Sequence, residues 1–287
     1  GAVTALAISQ DHTFVAVGHA LGSIHLYTLV KPSQPARSVP PTTLPLVLTG
    51  RKEGHLVGSR ILHLGFVGAR HTAIVSSDET GLAFYHSLGK VLMLASVDII
   101  RMLGRYPDSP SSSSRLPSDL PNGETTPKPK KPSTILDMAP LPLGPAPHSS
   151  DSHSLVALMT PTKLVIIGLK PTPRTWWRAT FAKDASELNG ADYSRNGVLA
   201  WYPSVVPVEG GGSIGATSGE EGEDPVLAFA WGRKVRWVRV GREAVEELKK
   251  GEKEGTKVLD VVFREVDGWT CDSPVLGLQW YSERVSR

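Results

Sequence analysis

The sequence predicts an all-β fold, a WD-repeat-like β-propeller of which these 287 residues hold about four blades and part of a fifth. Three observations support this prediction. Apolar residues alternate along short segments with the two-residue period of β-strands. A strand, a polar turn with glycine and a further strand recur in two matching stretches. Groups of four such segments return at roughly the 40–45-residue spacing of propeller blades, once the long insertions are set aside.

The first two units show the repeat most clearly. Strands are predicted over residues 3–8, 14–17 and 23–29 in the first unit, and over residues 59–66, 72–76 and 82–86 in the second. Gly22 and Gly81 follow the middle strands at equivalent places, where a tight hairpin needs a residue with positive φ. We therefore expect residues 3–29 and 59–97 to form successive antiparallel sheets of one propeller.

The later units are less regular but keep four strands each. The third unit is predicted over residues 134–139, 155–159, 163–169 and 175–181, and the fourth over residues 197–202, 226–231, 234–240 and 257–266. Residues 275–281 are predicted to be the first strand of a fifth unit. Because closure of a ring removes exposed strand edges, and these units do not complete a common ring size, the whole chain 1–287 is expected to be one propeller domain that is a fragment.

Two insertions and two short helices interrupt the strand pattern. Residues 107–133 are rich in Pro, Ser and Lys, and residues 209–224 are rich in Gly and acidic residues, so both are predicted to be flexible, low-complexity loops. Residues 242–257 are charged and predicted to hold one or two helical turns, with Val245 and Leu248 on one face. Residues 184–187 have the spacing of a capping box and predict another short helix.

Composition excludes several classes of function. With 31 Lys and Arg against 28 Asp and Glu, the net charge is +3, which does not favour a nucleic-acid binder. The single cysteine, Cys271, rules out an internal disulfide framework and a cysteine-cluster zinc site, and it favours a reducing compartment. The longest apolar run is far shorter than the roughly 18 residues that span a bilayer.

No catalytic, cofactor or metal residue is predicted, because no constellation has the required spacing. Residues 210–215 match the G-x-G-x-x-G pattern of dinucleotide-binding sites in residue type alone. That site needs a helix directly after the glycines, whereas here several acidic residues follow, and their carboxylates would repel a pyrophosphate. His63, His71 and His86 lie in one repeat without a companion ligand motif. Asp78 with His63 or His86 could form the polar network found inside WD-repeat blades. Residues 176–178 and 233–239 mix aromatics and cations and are interpreted as amphipathic strands, with an acidic partner, a phospholipid headgroup or single-stranded RNA as the alternatives.

Five stretches carry a family resemblance. Residues 68–91, together with residues 18–27, 40–44, 50–55 and 101–107, resemble the family of the CORVET-specific vacuolar-protein-sorting subunit, number eight of that series, in its fungal form. The close similarity covers about the first 107 residues. It implies the N-terminal propeller of a large tethering subunit, and the motifs identify no partner-binding residues.

The resemblance also implies a role and a place. Members of this family bind an activated endosomal Rab GTPase and, with the other CORVET subunits, tether vesicles before fusion on the way to the vacuole. We therefore expect a non-catalytic, cytoplasmic protein held peripherally on endosomal membranes through its partners, with no cofactor and no nucleic acid. The alternative is a WD-repeat scaffold of another complex, such as a ubiquitin-ligase adaptor. A propeller hydrolase ranks last because the acidic residues lie mostly in loops.

Overall fold

A computed structural model describes residues 1–68, 71, 73–91, 94–107, 134–181, 196–205, 223–247 and 256–280. These residues form four antiparallel sheets, each with four strands in chain order. The first sheet holds β1 (Val3–Ile8), β2 (Phe14–His19), β3 (Ile24–Thr28) and β4 (Arg37–Val39), and the second holds β5 (Ile61–Phe66), β6 (Ala73–Asp78), β7 (Ala83–Val91) and β8 (Leu94–Leu103). The third holds β9 (Asp137–Pro140), β10 (Leu155–Met159), β11 (Lys163–Gly168) and β12 (Arg174–Thr180), and the fourth holds β13 (Gly197–Tyr202), β14 (Val226–Trp231), β15 (Lys234–Glu247) and β16 (Thr256–Thr270).

Consecutive sheets pack face to face, as the blades of a propeller do. The first strand of each sheet contacts the first strand of the next, so that β1, β5, β9 and β13 are neighbours in series. Small residues allow the close approach: a Cβ atom on Gly18 would lie 2.7 Å from Cγ2 of Ile61 on the next sheet. On the first sheet, Leu6 and Ile8 are 64% and 61% exposed.

Each space between sheets holds its own apolar cluster. Between the first and second sheets, Ile24 and Leu26 pack with Ile61 and Ile74. Two further clusters fill the spaces between the second and third sheets and between the third and fourth. The alternation that predicted the strands therefore also selects the residues that each blade buries. The predicted fold class is confirmed, as are the two hairpin glycines, since φ is +85° at Gly22 and +84° at Gly81.

The structure also contains elements that the sequence pattern did not predict. Strand β4 has three residues, and it pairs with β3 at the outer edge of the first sheet. A five-residue helix, α1 (Leu44–Leu48), lies between β4 and β5, and a 3₁₀ helix covers Ser149–Ser152. Within the described residues, no helix is long and apolar enough to cross a bilayer.

The helical turns predicted over residues 242–257 are wrong where the chain is described. Residues 242–247 belong to β15 and pair with β16, from Arg242 opposite Val261 to Glu247 opposite Thr256. The antiparallel ladder satisfies the backbone groups that a helix would have bonded locally, and the long hairpin extends the fourth sheet. The helix predicted over residues 184–187 and most of the two insertions (108–133 and 209–222) lie outside the described residues.

The strand predicted over residues 275–281 is not formed over the described residues 275–280. The Val275 N–H donates to the Gly232 carbonyl (2.7 Å), and the indole N–H of Trp280 donates to the Ala200 carbonyl (2.9 Å). These contacts hold the segment against the fourth sheet. A strand needs a ladder of backbone partners, and within the described residues this segment has none.

Candidate functional site in the loop between the first two sheets

The loop between β4 and β5, residues 40–60, is pinned at its base by Thr42. Thr42 is 1% exposed, and its N–H donates to the His55 carbonyl (2.8 Å). The Thr42 carbonyl accepts from the Val57 N–H (2.9 Å), and its hydroxyl donates to the Lys52 carbonyl (3.2 Å). Two distant points of the loop are thus tied together, so the intervening residues project from a fixed base.

Helix α1 forms at the tip of this loop. Its N-cap, Thr43, is extended (φ −115°, ψ 152°), and a proline occupies the first turn, where a missing N–H costs nothing. At the other end, Gly50 takes a positive φ of 67°, and the Arg51 N–H donates to the Leu46 carbonyl (2.9 Å). The left-handed glycine and these backbone bonds close the C-terminus of the helix and hold one compact turn in place.

The surface of α1 is entirely apolar. The helix consists of Leu, Pro and Val, none of its residues is buried, and Leu48 is 53% exposed. Arg51, which follows closely, is exposed, and the Lys52 ammonium bonds the Pro41 carbonyl (3.2 Å). Apolar side chains at the surface of a short, fixed helix commonly mark a contact surface.

A buried polar network lies beneath the same loop. His55 Nδ1 is 2.6 Å from Asp78 Oδ2, and His55 Nε2 is 2.7 Å from the Ser76 hydroxyl. The Ser76 hydroxyl is also 2.7 Å from His86 Nε2. All four side chains are 2% exposed or less. The loop is therefore anchored to the interior of the second blade through a continuous chain of hydrogen bonds.

The network corrects part of the sequence prediction. Asp78 and His86 belong to it as expected, but His55 takes the place proposed for His63, whose Nδ1 bonds the Ser77 hydroxyl instead (2.7 Å). His55 lies in a loop, and the strand pattern gave no reason to select it. The signal that could have found it is the Gly54-His55 dipeptide shortly before a first strand, because a Gly-His pair is part of the WD-repeat signature.

Burial determines the protonation of the network. Burial, with a smaller contribution from His55, lowers the pKa of His86 to about 3, so this imidazole is neutral near pH 7. The Nδ1 atom of His86 has no hydrogen-bond partner within the described part of the chain, which places the ring proton on Nε2 facing Ser76. Burial alone would raise the pKa of Asp78, but the hydrogen bond and charge of His55 lower it below its usual value.

Tyr106 fastens the loop from the outside. Its hydroxyl accepts from the Gly54 N–H (3.0 Å) and lies 2.9 Å from a carboxylate oxygen of Glu53. Burial, reinforced by the Glu53 charge, raises the pKa of the Tyr106 hydroxyl well above its usual value. The guanidinium of Arg101 lies 5.1 Å from the centroid of the tyrosine ring. The hydroxyl therefore remains a hydrogen-bonding group that links the segment after β8 to the residue before His55.

The described residues contain two Ser-His-Asp constellations, and the serine and histidine of each are buried. The first is Ser76, His55 and Asp78. In the second, the His148 ring lies 2.8 Å from the Ser150 hydroxyl and 3.3 Å from Asp224. A serine nucleophile must be reachable by substrate, and both hydroxyl-bearing residues are 0% exposed. The His148 ring also accepts the Ser150 N–H at the start of the 3₁₀ helix, which makes it a capping residue.

The other motifs selected from the sequence serve packing. Trp177 packs against Phe229 between the third and fourth sheets, and Arg174 lies 3.6 Å over the Trp176 ring. Arg236 pairs with Glu265 (2.9 Å), as expected of an amphipathic strand. His71 stacks on Phe14 and does not approach His63 or His86 as a ligand, and the described residues contain no group of three or more potential metal ligands. Residues 210–215 lie outside the described part of the chain.

Comparison with known families gives a match along nearly the whole chain. Residues 1–285 match the family described as the Vps8 β-propeller. The vacuolar protein sorting-associated protein 8 of Saccharomyces cerevisiae is 41% identical over 86 residues, which cover 28% of this chain and 6% of the yeast protein. The matched region is thus a small part of that relative's length.

Solved structures with a similar fold are distant in sequence. The β-propeller domain of Myceliophteria thermophila Cps50 (Swd1) gives a TM-score of 0.41 at 9% identity, covering 92% of this chain and 57% of that one. The structure of U3-55K gives a TM-score of 0.39 at 11% identity, and the match covers 82% of this chain and 48% of that one. The structure of Saccharomyces cerevisiae Sqt1 gives a TM-score of 0.42 at 10% identity, and the match covers 82% of this chain and 44% of that one.

Proposed function

Because this chain belongs to the Vps8 β-propeller family, we propose that it is the non-catalytic interaction propeller of an endosomal vesicle tether. In this role it is recruited by the GTP-bound form of an endosomal Rab GTPase. It then acts with the other subunits of the CORVET complex in vesicle fusion and in transport from endosome to vacuole. The family match over residues 1–285 is the observation that carries the proposal.

The geometry of the molecule supports a binding role. Rigid antiparallel blades with loops of different length form a platform on which contact residues can be displayed. The loop between the first two sheets illustrates this, because its base is buried in the His55 network while α1 is held outside. The serine and histidine of each Ser-His-Asp constellation are buried, so these hydrogen bonds stabilise the blades and do not activate a nucleophile.

The proposal places the protein on the cytoplasmic side of endosomal membranes, where Rab proteins are displayed. Rab switch segments change their order with the γ-phosphate of GTP, so recognition by a Rab effector depends on the bound nucleotide. The direct test measures how much of the chain is retained on beads carrying an endosomal Rab. One set of beads is loaded with a non-hydrolysable GTP analogue and the other with GDP, and beads with a Rab from another compartment are the control.

We expect retention on the GTP-analogue beads and little on either of the others. Equal retention in the two nucleotide states would contradict the Rab-effector assignment. That result would favour the alternative role, a scaffold of another complex such as a ubiquitin-ligase adaptor. Mass spectrometry of co-purifying proteins would then identify the complex. The parent protein is tested beside the chain, because the interface can extend beyond these 287 residues.

A further inference from the structure

We propose that α1 and the cations around it form a contact site for an anionic lipid bilayer. The apolar helix enters the headgroup region, and Arg51 binds the lipid phosphates and carboxylates beside it. This contact is additional to recruitment by a Rab protein and does not depend on it. The sequence predicts membrane association through partners, with a phospholipid headgroup as an alternative at residues 176–178 and 233–239, and it does not predict α1.

The first observation is the exposure of α1 itself. Five consecutive residues of Leu, Pro and Val form a helix with no buried member. Pro45 and Leu48 are exposed, and Leu44, Leu46 and Val47 are partly buried. The backbone bonds at Thr42 and Gly50 fix the loop that carries this helix. The exposed apolar surface is thus fixed by the structure of the loop.

The second observation is the charge of the surrounding chain. Arg51 and Lys52 closely follow the helix, and the N–H groups of both donate to the Leu46 carbonyl, at 2.9 Å and 3.3 Å. The next residue, Glu53, lies within hydrogen-bond distance of the Tyr106 hydroxyl (2.9 Å). Arg51 is exposed beside the apolar side chains of α1, and each cation near an anionic membrane surface strengthens partitioning by about five-fold.

The dimensions of α1 favour a bilayer over a groove on another protein. Recognition of a helix by a protein groove uses anchor side chains spaced over two turns, at positions i, i+3, i+4 and i+7. Helix α1 has five residues, and none of its side chains can donate or accept a hydrogen bond. A bilayer interface requires neither feature, because it accepts any apolar side chain that reaches the acyl boundary.

The test is flotation of the chain with vesicles of phosphatidylcholine alone, or of phosphatidylcholine mixed with phosphatidylserine, at low salt. We expect flotation only with the mixed vesicles, and a decrease when salt is raised. Leu48→Ser should lower the partition coefficient by about five-fold, the factor for burying half a leucine side chain. Arg51→Gln should lower it by about five-fold.

Two variants control for general effects. Leu29 is 50% exposed, close to the 53% of Leu48, and Leu29→Ser removes a leucine from another surface. Arg178 is exposed on β12, and Arg178→Gln removes one positive charge there. Both controls should float like the unchanged chain, and all four variants should keep its melting temperature.

Three results would overturn the lipid contact. The first is equal flotation with both vesicle types, and the second is an equal loss in the test and control variants. The third is a loss of retention on Rab beads in Leu48→Ser with unchanged flotation, which would make α1 a protein contact. Failure of nucleotide-dependent Rab binding alone would leave the lipid contact standing, so the two proposals fail separately.

Discussion

Acidification should destabilise the second blade through His86. The folded state holds the pKa of this buried imidazole at about 3, whereas its ordinary value is 6.5. The unfolded chain therefore binds a proton that the folded chain excludes. The stabilisation is fully present above about pH 6.5 and is lost as the pH falls towards 3. Between pH 7.5 and 5.5 the loss should be about 1.4 kcal/mol, and its upper limit at lower pH is about 5 kcal/mol.

The variant that isolates this effect is His86→Gln. Its amide can still donate to the Ser76 hydroxyl, as His86 Nε2 does over 2.7 Å, but it does not titrate. The free energy of unfolding is measured by urea titration between pH 7.5 and 5.5 for both chains. Their difference should shrink by about 1.4 kcal/mol across this range. Curves that remain parallel would refute the assignment of a neutral, proton-excluding His86.

Two further predictions concern the hairpins and the loop. Gly81→Val should lower the free energy of unfolding by about 1–3 kcal/mol, because a β-branched residue is strained at φ +84°. Gly277→Val, where a Cβ meets nothing within 4 Å, is the control, and equal urea midpoints would contradict the prediction. Tyr106→Phe should cost about 1–2 kcal/mol by removing the hydroxyl that bonds Gly54. The double variant with Glu53→Gln should lose less free energy of unfolding than the sum of the two single variants. Losses that simply add in urea titration would count against the contact between Tyr106 and Glu53.

The strands could be predicted because their signal is local. Alternating apolar residues and hairpin glycines occur within a few positions of each other, and burial of alternate side chains is what a blade requires. The described residues 242–247 were assigned wrongly for the same reason, since spacings of three and four suggested a helix. The pairing of Arg242 with Val261 depends on a hairpin partner that local periodicity does not reveal. Strand β4 was missed because only three residues pair.

The candidate site could not be assembled from the sequence because its contacts are not local. His55 meets Ser76 and Asp78 across 21 and 23 residues, and no periodic pattern connects them. Helix α1 was missed because five apolar residues containing a proline give no amphipathic period. What makes α1 notable is its exposure, and exposure depends on how Thr42 and Gly50 fix the loop.

The polar network and the exposed helix are parts of one mechanical arrangement. His55 is bound to Asp78 through its side chain, and its backbone carbonyl accepts the N–H of Thr42, next to the N-cap of α1. Two residues therefore separate the buried His55–Asp78 hydrogen bond from the start of the helix. Loss of the network should release the base of the loop while leaving the other blades folded, because each space between sheets has its own apolar cluster. A leucine on a released loop can turn inward, whereas on a fixed loop it must stay exposed. The buried hydrogen bonds of the second blade thus help to determine the surface that this loop presents.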